Sequence, residues 1–146
     1  LFRSGADEHP ATEMPGARRL YMIASINVVM AAALFLFAAW AGISGVIALG
    51  RNLTPMPGPK AGATLVTRGI YARIRHPLYA SVMAMAVSWA LAWGSLTGLG
   101  AAVLLAGFLH LKTFHEEGLL KATFPDYASY ARSVPRYIPG VRRAGA

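Results

Sequence analysis

Two long windows without charge constrain how this chain folds. No Asp, Glu, Lys or Arg occurs in residues 20–50, and none occurs in residues 76–111. A helix that crosses the bilayer core needs about 20 mostly apolar residues. The first window is long enough for one span, whereas the second exceeds one span and is interrupted at Trp93-Gly94-Ser95. The pattern therefore predicts three membrane helices, and the last two form a tight hairpin.

We expect an all-α integral membrane bundle with about three transmembrane helices and a cytoplasmic C-terminal helical extension. The first span lies within Leu20–Gly50. The second begins at Pro77, because proline is well accommodated at the first position of a helix. The third runs from about Leu96 through Leu111 and continues as the extension until Pro125 stops it.

The remaining segments are predicted as tails and short elements. Residues 1–19 form an N-terminal tail, residues 20–140 the membrane domain and residues 141–146 a C-terminal tail. Asp126 is expected to cap a short helix, after which residues 135–140 are extended. The first residue is Leu rather than Met, which is compatible with a longer protein and an upstream span.

The net charge of +8 is distributed in a way that predicts topology. Residues 51–76 carry five basic and no acidic side chains, and residues 112–146 carry six basic and three acidic ones. Basic loops favour the cytoplasmic side, although Arg18 and Arg19 at the outer end of the first span oppose this. We predict a protein of the bacterial inner membrane whose site faces the cytoplasm. Topology accounts for the charge, so no nucleic-acid partner is expected, and the absence of cysteine excludes disulfides and thiolate chemistry.

Two polar clusters flank the predicted hairpin, so its antiparallel helices place them side by side. A helix N-terminus is a natural site for a carboxylate or phosphate. Paired glutamates accept hydrogen bonds from hydroxyls and attract a cation. Together they suit a zwitterionic small molecule at the membrane surface. The clusters are Arg75, His76, Pro77 and Tyr79 at the start of the second span, and His115, Glu116 and Glu117 after the third.

These clusters belong to a longer pattern. The run Gly69-x-Tyr71-x-x-x-Arg75-His76-Pro77-x-Tyr79 resembles a signature of the isoprenylcysteine carboxyl methyltransferase family and the related phospholipid N-methyltransferases. The resemblance covers roughly residues 42–140. The C-terminal elements that are similar to the family are Glu116-Glu117, Leu119-Leu120, Phe124-Pro125, Tyr127-x-x-Tyr130 and Val134-Pro135-Arg136-x-Ile138-Pro139.

The resemblance implies an S-adenosyl-L-methionine-dependent membrane methyltransferase whose acceptor is a lipophilic or membrane-associated carboxylate, amine or thiol. Membrane lipids and a lipophilic small-molecule substrate are the expected partners, with entry from the lipid side. His76 and the helix start at Pro77 would meet the methionine carboxylate, and the glutamates would hold ribose hydroxyls or the ammonium group. The implied cofactor-binding residues are Arg75, His76, Pro77, Tyr79, Glu116, Glu117, Tyr127, Tyr130 and Arg136. No catalytic residue and no metal ligand is assigned.

Two positions depart from the family pattern. Ile70 stands where the pattern has proline, so we expect a looser turn after Gly69. Ser81 stands where the pattern has glycine. Its hydroxymethyl group takes up space that glycine leaves free, which bears on the shape of the pocket.

Simpler interpretations exist for the charged and titratable residues. Glu117 with Lys121, and Lys112 with Glu116, stand four residues apart and suit ordinary surface ion pairs. His76 alone suits a helix cap.

Two other functions remain open at this point. One is a membrane di-metal hydroxylase or desaturase, for which His76, His110, His115 and the glutamates would be ligands. The other is a non-enzymatic membrane protein, such as a transporter subunit or assembly factor, or an inactive methyltransferase relic.

Overall fold

The computed structural model describes residues 15–53 and 62–140, and all regular structure within these ranges is helical. The predicted all-α class is therefore confirmed for this part of the chain. Residues 1–14 of the predicted N-terminal tail, residues 54–61 after the first span and the predicted C-terminal tail, residues 141–146, lie outside the described residues. The α-helices are α1 (Pro15–Leu49), α2 (Pro77–Ala92), α3 (Leu96–Thr123) and α4 (Tyr127–Ser133).

Helix α1 starts earlier than the predicted boundary at Leu20. Pro15 supplies a suitable first residue. Arg18 and Arg19 are good helix formers, so charge marks the end of the apolar window but not of the helix.

Helices α2 and α3 form the predicted hairpin. Its turn contains Gly94 with φ of 57°, a left-handed conformation that glycine adopts at little cost. Ser95 caps α3, because its Oγ accepts a hydrogen bond from the amide of Gly98 at 3.0 Å. Helix α2 begins at Pro77 as predicted.

Two helices in the described ranges, α1 and α3, are long and apolar enough to cross a membrane. Only 11% and 17% of their most apolar windows are buried within the protein, whereas the core helix of a soluble protein is mostly buried. Helix α2 is apolar but has 16 residues, which at 1.5 Å per residue makes it about 24 Å long. A third span and a cytoplasmic extension of α3 stay predictions.

Small residues bring α1 and α2 close together. Ala38 is fully buried, and a Cβ added at Gly42 would lie 2.7 Å from Ser81 Oγ. Ser81 donates a hydrogen bond to the carbonyl of Ala38 at 2.7 Å, and Ser88 donates to that of Ala31 at 2.8 Å. The Ser81 hydroxyl is thus directed at α1, where it joins two helices.

A short 3₁₀ turn, Gly69–Ala72, leads into α2. Gly69 has φ of 65°, which explains a glycine at this position of the motif. The loosening expected from Ile70 stays a prediction. Its buried side chain packs in one hydrophobic cluster with Ile74 and Ala41 of α1, so the turn is held by side-chain packing.

The chain after α3 differs from two expectations. Asp126 occupies the N-cap position of α4 but makes no side-chain capping bond. Its helical backbone angles, φ −79° and ψ −7°, explain this, since capping residues usually adopt extended angles. Residues 134–140, here called the C-terminal strap, form bends and a turn instead of the predicted extended segment.

Candidate cofactor-binding site

The hairpin brings the two predicted clusters together at one end of the molecule. His76 Nε2 lies 3.3 Å from Glu117 Oε1. One helical turn along α2, the Tyr79 hydroxyl donates a hydrogen bond to Glu116 Oε1 at 2.5 Å. Because the helices are antiparallel, the start of α2 meets the last turns of α3, as the sequence predicted.

A cavity of about 350 Å³ lies beside this junction, between the end of α1, the start of α2, the end of α3 and α4. Ligand pockets commonly fall between about 300 and 1,000 Å³. Most of the predicted cofactor-binding residues line it, but Pro77, Glu117 and Arg136 do not. Those that do are Arg75, His76, Tyr79, Glu116, Tyr127 and Tyr130.

Glu116 faces the cavity between a phenol and an ammonium group. Tyr79 donates to its carboxylate, and Lys112 Nζ lies 3.5 Å from the same oxygen. The Lys112 ammonium also lies 5.3 Å from the centre of the Tyr79 ring, which stacks against His76. The ion pair of Lys112 with Glu116 therefore exists, but it forms part of the cavity wall.

Glu117 is buried and its carboxylate is surrounded by three cationic or titratable partners. Arg136 binds it in a two-point fork, with Nε 3.0 Å from Oε1 and Nη2 2.8 Å from Oε2. Arg75 Nη1 lies 3.0 Å from Oε1, which His76 also contacts. The hydrogen bonding raises the pKa of Arg136 above its usual value. These partners, and not Lys121, engage the carboxylate of Glu117.

Two backbone amides just before α2, where an anion site was expected, already donate to carbonyls of the strap. The amide of Arg75 donates to the carbonyl of Pro135, and that of His76 to the carbonyl of Arg136, both at 2.9 Å. His76 is the N-cap residue, yet its side chain makes no capping bond. Since Pro77 has no N–H, the amides of Leu78 and Tyr79 are what this helix end offers a ligand. Both residues line the cavity.

Helix α4 closes another side of the cavity. The Tyr130 hydroxyl donates a hydrogen bond to the carbonyl of Tyr71 at 2.6 Å, which ties α4 to the turn before α2. Tyr127 is almost fully buried, and burial raises the pKa of its phenol to about 12. The phenol can donate a hydrogen bond, as any protonated tyrosine can.

Several cavity residues were not predicted as site residues. Tyr71 stands within the quoted motif, and Lys112 stands four residues before Glu116, so both had a signal in the sequence. Asn52 stands in the run Leu49-Gly50-Arg51-Asn52-Leu53, which is also similar to the family, but no role was predicted for it. Thr64 had no signal in the sequence; Asn52 Nδ2 lies 3.3 Å from its carbonyl oxygen. The apolar part of the lining comprises Leu49, Leu53, Ala63, Leu65, Val66, Leu78, Leu120 and Phe124.

The other described histidines lie outside the cavity. His110 and His115 are exposed, and His110 Nδ1 lies 3.2 Å from the Tyr137 hydroxyl. Within the described ranges, no three His, Asp or Glu side chains converge in a way that could hold a metal ion. The donor cluster that a di-metal oxidase requires is thus not assembled in this part of the chain.

Comparison with protein families identifies the family to which the hairpin belongs. The sequence model of the phospholipid methyltransferase family matches residues 26–126, which are 101 of the 146 residues. The matched region contains the α2–α3 hairpin and both glutamates, whereas α4 and the strap follow it. Comparison with curated proteins found no match.

Proposed function

Because this chain belongs to the phospholipid methyltransferase family, we propose that it transfers a methyl group from S-adenosyl-L-methionine to a lipophilic or membrane-associated small acceptor. Membership implies methyltransferase activity in general. The observation that carries the finer proposal is the cavity, which is lined both by Arg75 and His76 just before α2 and by the carboxylate-bearing Glu116 of α3.

The residues that line the cavity fit the groups of this cofactor. Its carboxylate matches Arg75, His76 and the free amides at the start of α2. Its ammonium group or ribose hydroxyls match Glu116, and its adenine matches the tyrosines and the apolar lining. When bound, the cofactor supplies an activated methyl group.

The contribution of the protein is to exclude water and to orient the reactants. Charge is dispersed as a methyl group leaves a sulfonium, and a dry pocket favours such a transfer. Orientation of two reactants lowers the barrier further. A carboxylate or thiolate acceptor needs no base. For an amine acceptor, the carboxylate of Glu116 is the candidate to receive the proton, since it lies on the cavity wall.

The packing of the helices supports entry of the acceptor from the lipid. Helices α1 and α3 both pack against α2 and have almost no direct contact with each other. The cavity lining includes Leu49 and Leu53 at and just after the end of α1, and Leu120 and Phe124 at the end of α3. These side chains suit a hydrocarbon chain better than a charged solute. The basic loops support a site at the cytoplasmic surface of the membrane, and we propose that this membrane is a bacterial inner membrane.

The test is incubation of the purified protein in detergent with methyl-labelled cofactor and a membrane lipid extract. We expect the label to appear in an extracted lipid or lipophilic small molecule. Glu116→Gln should abolish most of this transfer, whereas Lys121→Ala on the exposed side of α3 should retain it. Absence of labelled product with the unchanged protein across several extracts would favour the non-enzymatic membrane protein or the inactive relic.

A further inference from the structure

One buried carboxylate joins three parts of the molecule. Glu117 of α3 is 4% exposed. Two of its partners, Arg75 and His76, come from the start of α2, and the third, Arg136, comes from the strap. Charge-assisted bonds of this kind, above all a two-point arginine fork, fix the orientation of both partners.

The partners divide into two groups by their relation to the cavity. The side chains of Arg75 and His76 line it, whereas Glu117 and Arg136 do not. The backbones of Arg75 and His76 are also held from outside the cavity. Their amides donate hydrogen bonds to the carbonyls of Pro135 and Arg136 in the strap. The two cavity residues are therefore held, by side chain and by backbone, from outside the cavity.

We propose that Glu117 is a positioning residue that fixes Arg75 and His76 against the cavity and is itself fixed by Arg136. The proposal rests on the proposed function, since it assumes that the cavity takes the cofactor. It also separates Glu117 from Glu116, which the family resemblance treated as one pair of cofactor ligands. Pro135 and Arg136 of the strap thereby contribute to binding without contact to the ligand.

The two possible roles of Glu117 predict different effects of losing Arg136. As a direct ligand, Glu117 would have to leave the arginine fork and turn to the cavity, so loss of Arg136 would free it to bind. As a positioning residue, Glu117 needs Arg136, so loss of either one should disorder the same two side chains. Residues that act through one shared contact show non-additive effects when both are changed.

The experiment is a double-mutant cycle read by calorimetry, with S-adenosylhomocysteine as the ligand and the full chain in detergent. Glu117→Gln and Arg136→Gln should each weaken binding by roughly tenfold. The double variant should have the same affinity as whichever single variant binds less tightly. Lys121→Ala, on the same helix, should stay within about twofold. Glu117→Asp keeps the charge and should restore part of the affinity.

A second measurement reports on the position of His76 itself. The imidazole resonance of His76 is assigned by its loss in His76→Asn. It should shift in both Glu117→Gln and Arg136→Gln and stay in place in Lys121→Ala. A role confined to global stability would not move this resonance in a variant that remains folded.

The outcomes separate this inference from the proposed function. If the unchanged protein does not bind S-adenosylhomocysteine at millimolar concentration, the proposed function fails. The His76 resonance then still tests whether Glu117 and Arg136 hold His76 in place. Full affinity in Arg136→Gln beside lost affinity in Glu117→Gln would make Glu117 a direct ligand and overturn the inference. If Glu117→Gln does not fold, Arg136→Lys serves instead, because lysine keeps the charge but loses the fork. An unmoved His76 resonance in that variant would also overturn it.

Discussion

Two adjacent glutamates near the end of α3 serve different sides of the molecule. On the cavity side, Glu116 is bound by Tyr79 and Lys112 and faces space that a ligand can fill. On the strap side, Glu117 is buried under cationic side chains. Successive residues of an α-helix point about 100° apart. A dipeptide that looks like one functional unit in sequence is thus divided between ligand binding and support.

The largest expected effect comes from removing the carboxylate on the strap side. Glu117→Ala leaves the guanidinium groups of Arg75 and Arg136 close together without their counter-charge. Loss of one partner of a buried ion pair typically costs about 3–5 kcal/mol. Denaturant unfolding followed by circular dichroism should show a loss of this size. Glu116→Ala is the matched control, and an equal loss in both variants would contradict the contrast between the two sides.

The next effect is on binding and concerns the cavity side. Glu116→Gln should leave the free energy of unfolding within about 1 kcal/mol, because its surroundings are partly open to solvent. The same change should weaken S-adenosylhomocysteine binding by about tenfold or more, since it removes a charge-assisted acceptor. Calorimetry gives the affinity. Unchanged affinity together with a large loss of stability would reverse the roles assigned to the two glutamates.

A smaller effect is expected where the strap touches α3 away from the cavity. The Tyr137 hydroxyl donates to Thr113 Oγ1 at 2.8 Å, so Tyr137→Phe should cost about 1 kcal/mol of stability. Binding of S-adenosylhomocysteine should be unaffected, because the change keeps the ring that lies against His76 and removes only a hydroxyl of a residue that does not line the cavity. The exposed Tyr21 provides the control, as Tyr21→Phe should change neither quantity. A clear loss of affinity in Tyr137→Phe would show that this contact also positions the cavity residues.

The smallest expected effect is that of Lys121→Ala. This lysine stands four residues after Glu117, but that carboxylate is engaged by other cations. The unfolding free energy should therefore change by no more than about 0.5 kcal/mol. A larger loss in thermal or denaturant unfolding would show that the surface ion pair considered from the sequence contributes after all.

The hairpin was predictable because its signals are local. A break of the charge-free window at Gly94 marks the turn, and Pro77 marks the start of a helix. Antiparallel pairing then places His76 beside Glu116 and Glu117 without further information. The family pattern added the tyrosines of α4, of which both line the cavity.

The different positions of Glu116 and Glu117 were not predictable from the sequence. The apolar residues of α3 are spread over most sides of the helix. The sequence therefore has no single polar face that would indicate which way each glutamate points. The strap has no periodic pattern, and its path depends on tertiary hydrogen bonds to Arg75 and His76. Likewise, the sequence marks Ser81 as a departure from the family glycine but does not reveal that its hydroxyl faces α1.

The most direct measurement is an experimental structure of the protein with S-adenosylhomocysteine bound. We predict that the ligand lies in the cavity between α2, α3 and α4, within hydrogen-bond distance of Glu116, while Glu117 stays in the fork of Arg136. A ligand bound elsewhere, or one held by Glu117 with Arg136 displaced, would contradict the assignment of the two glutamates.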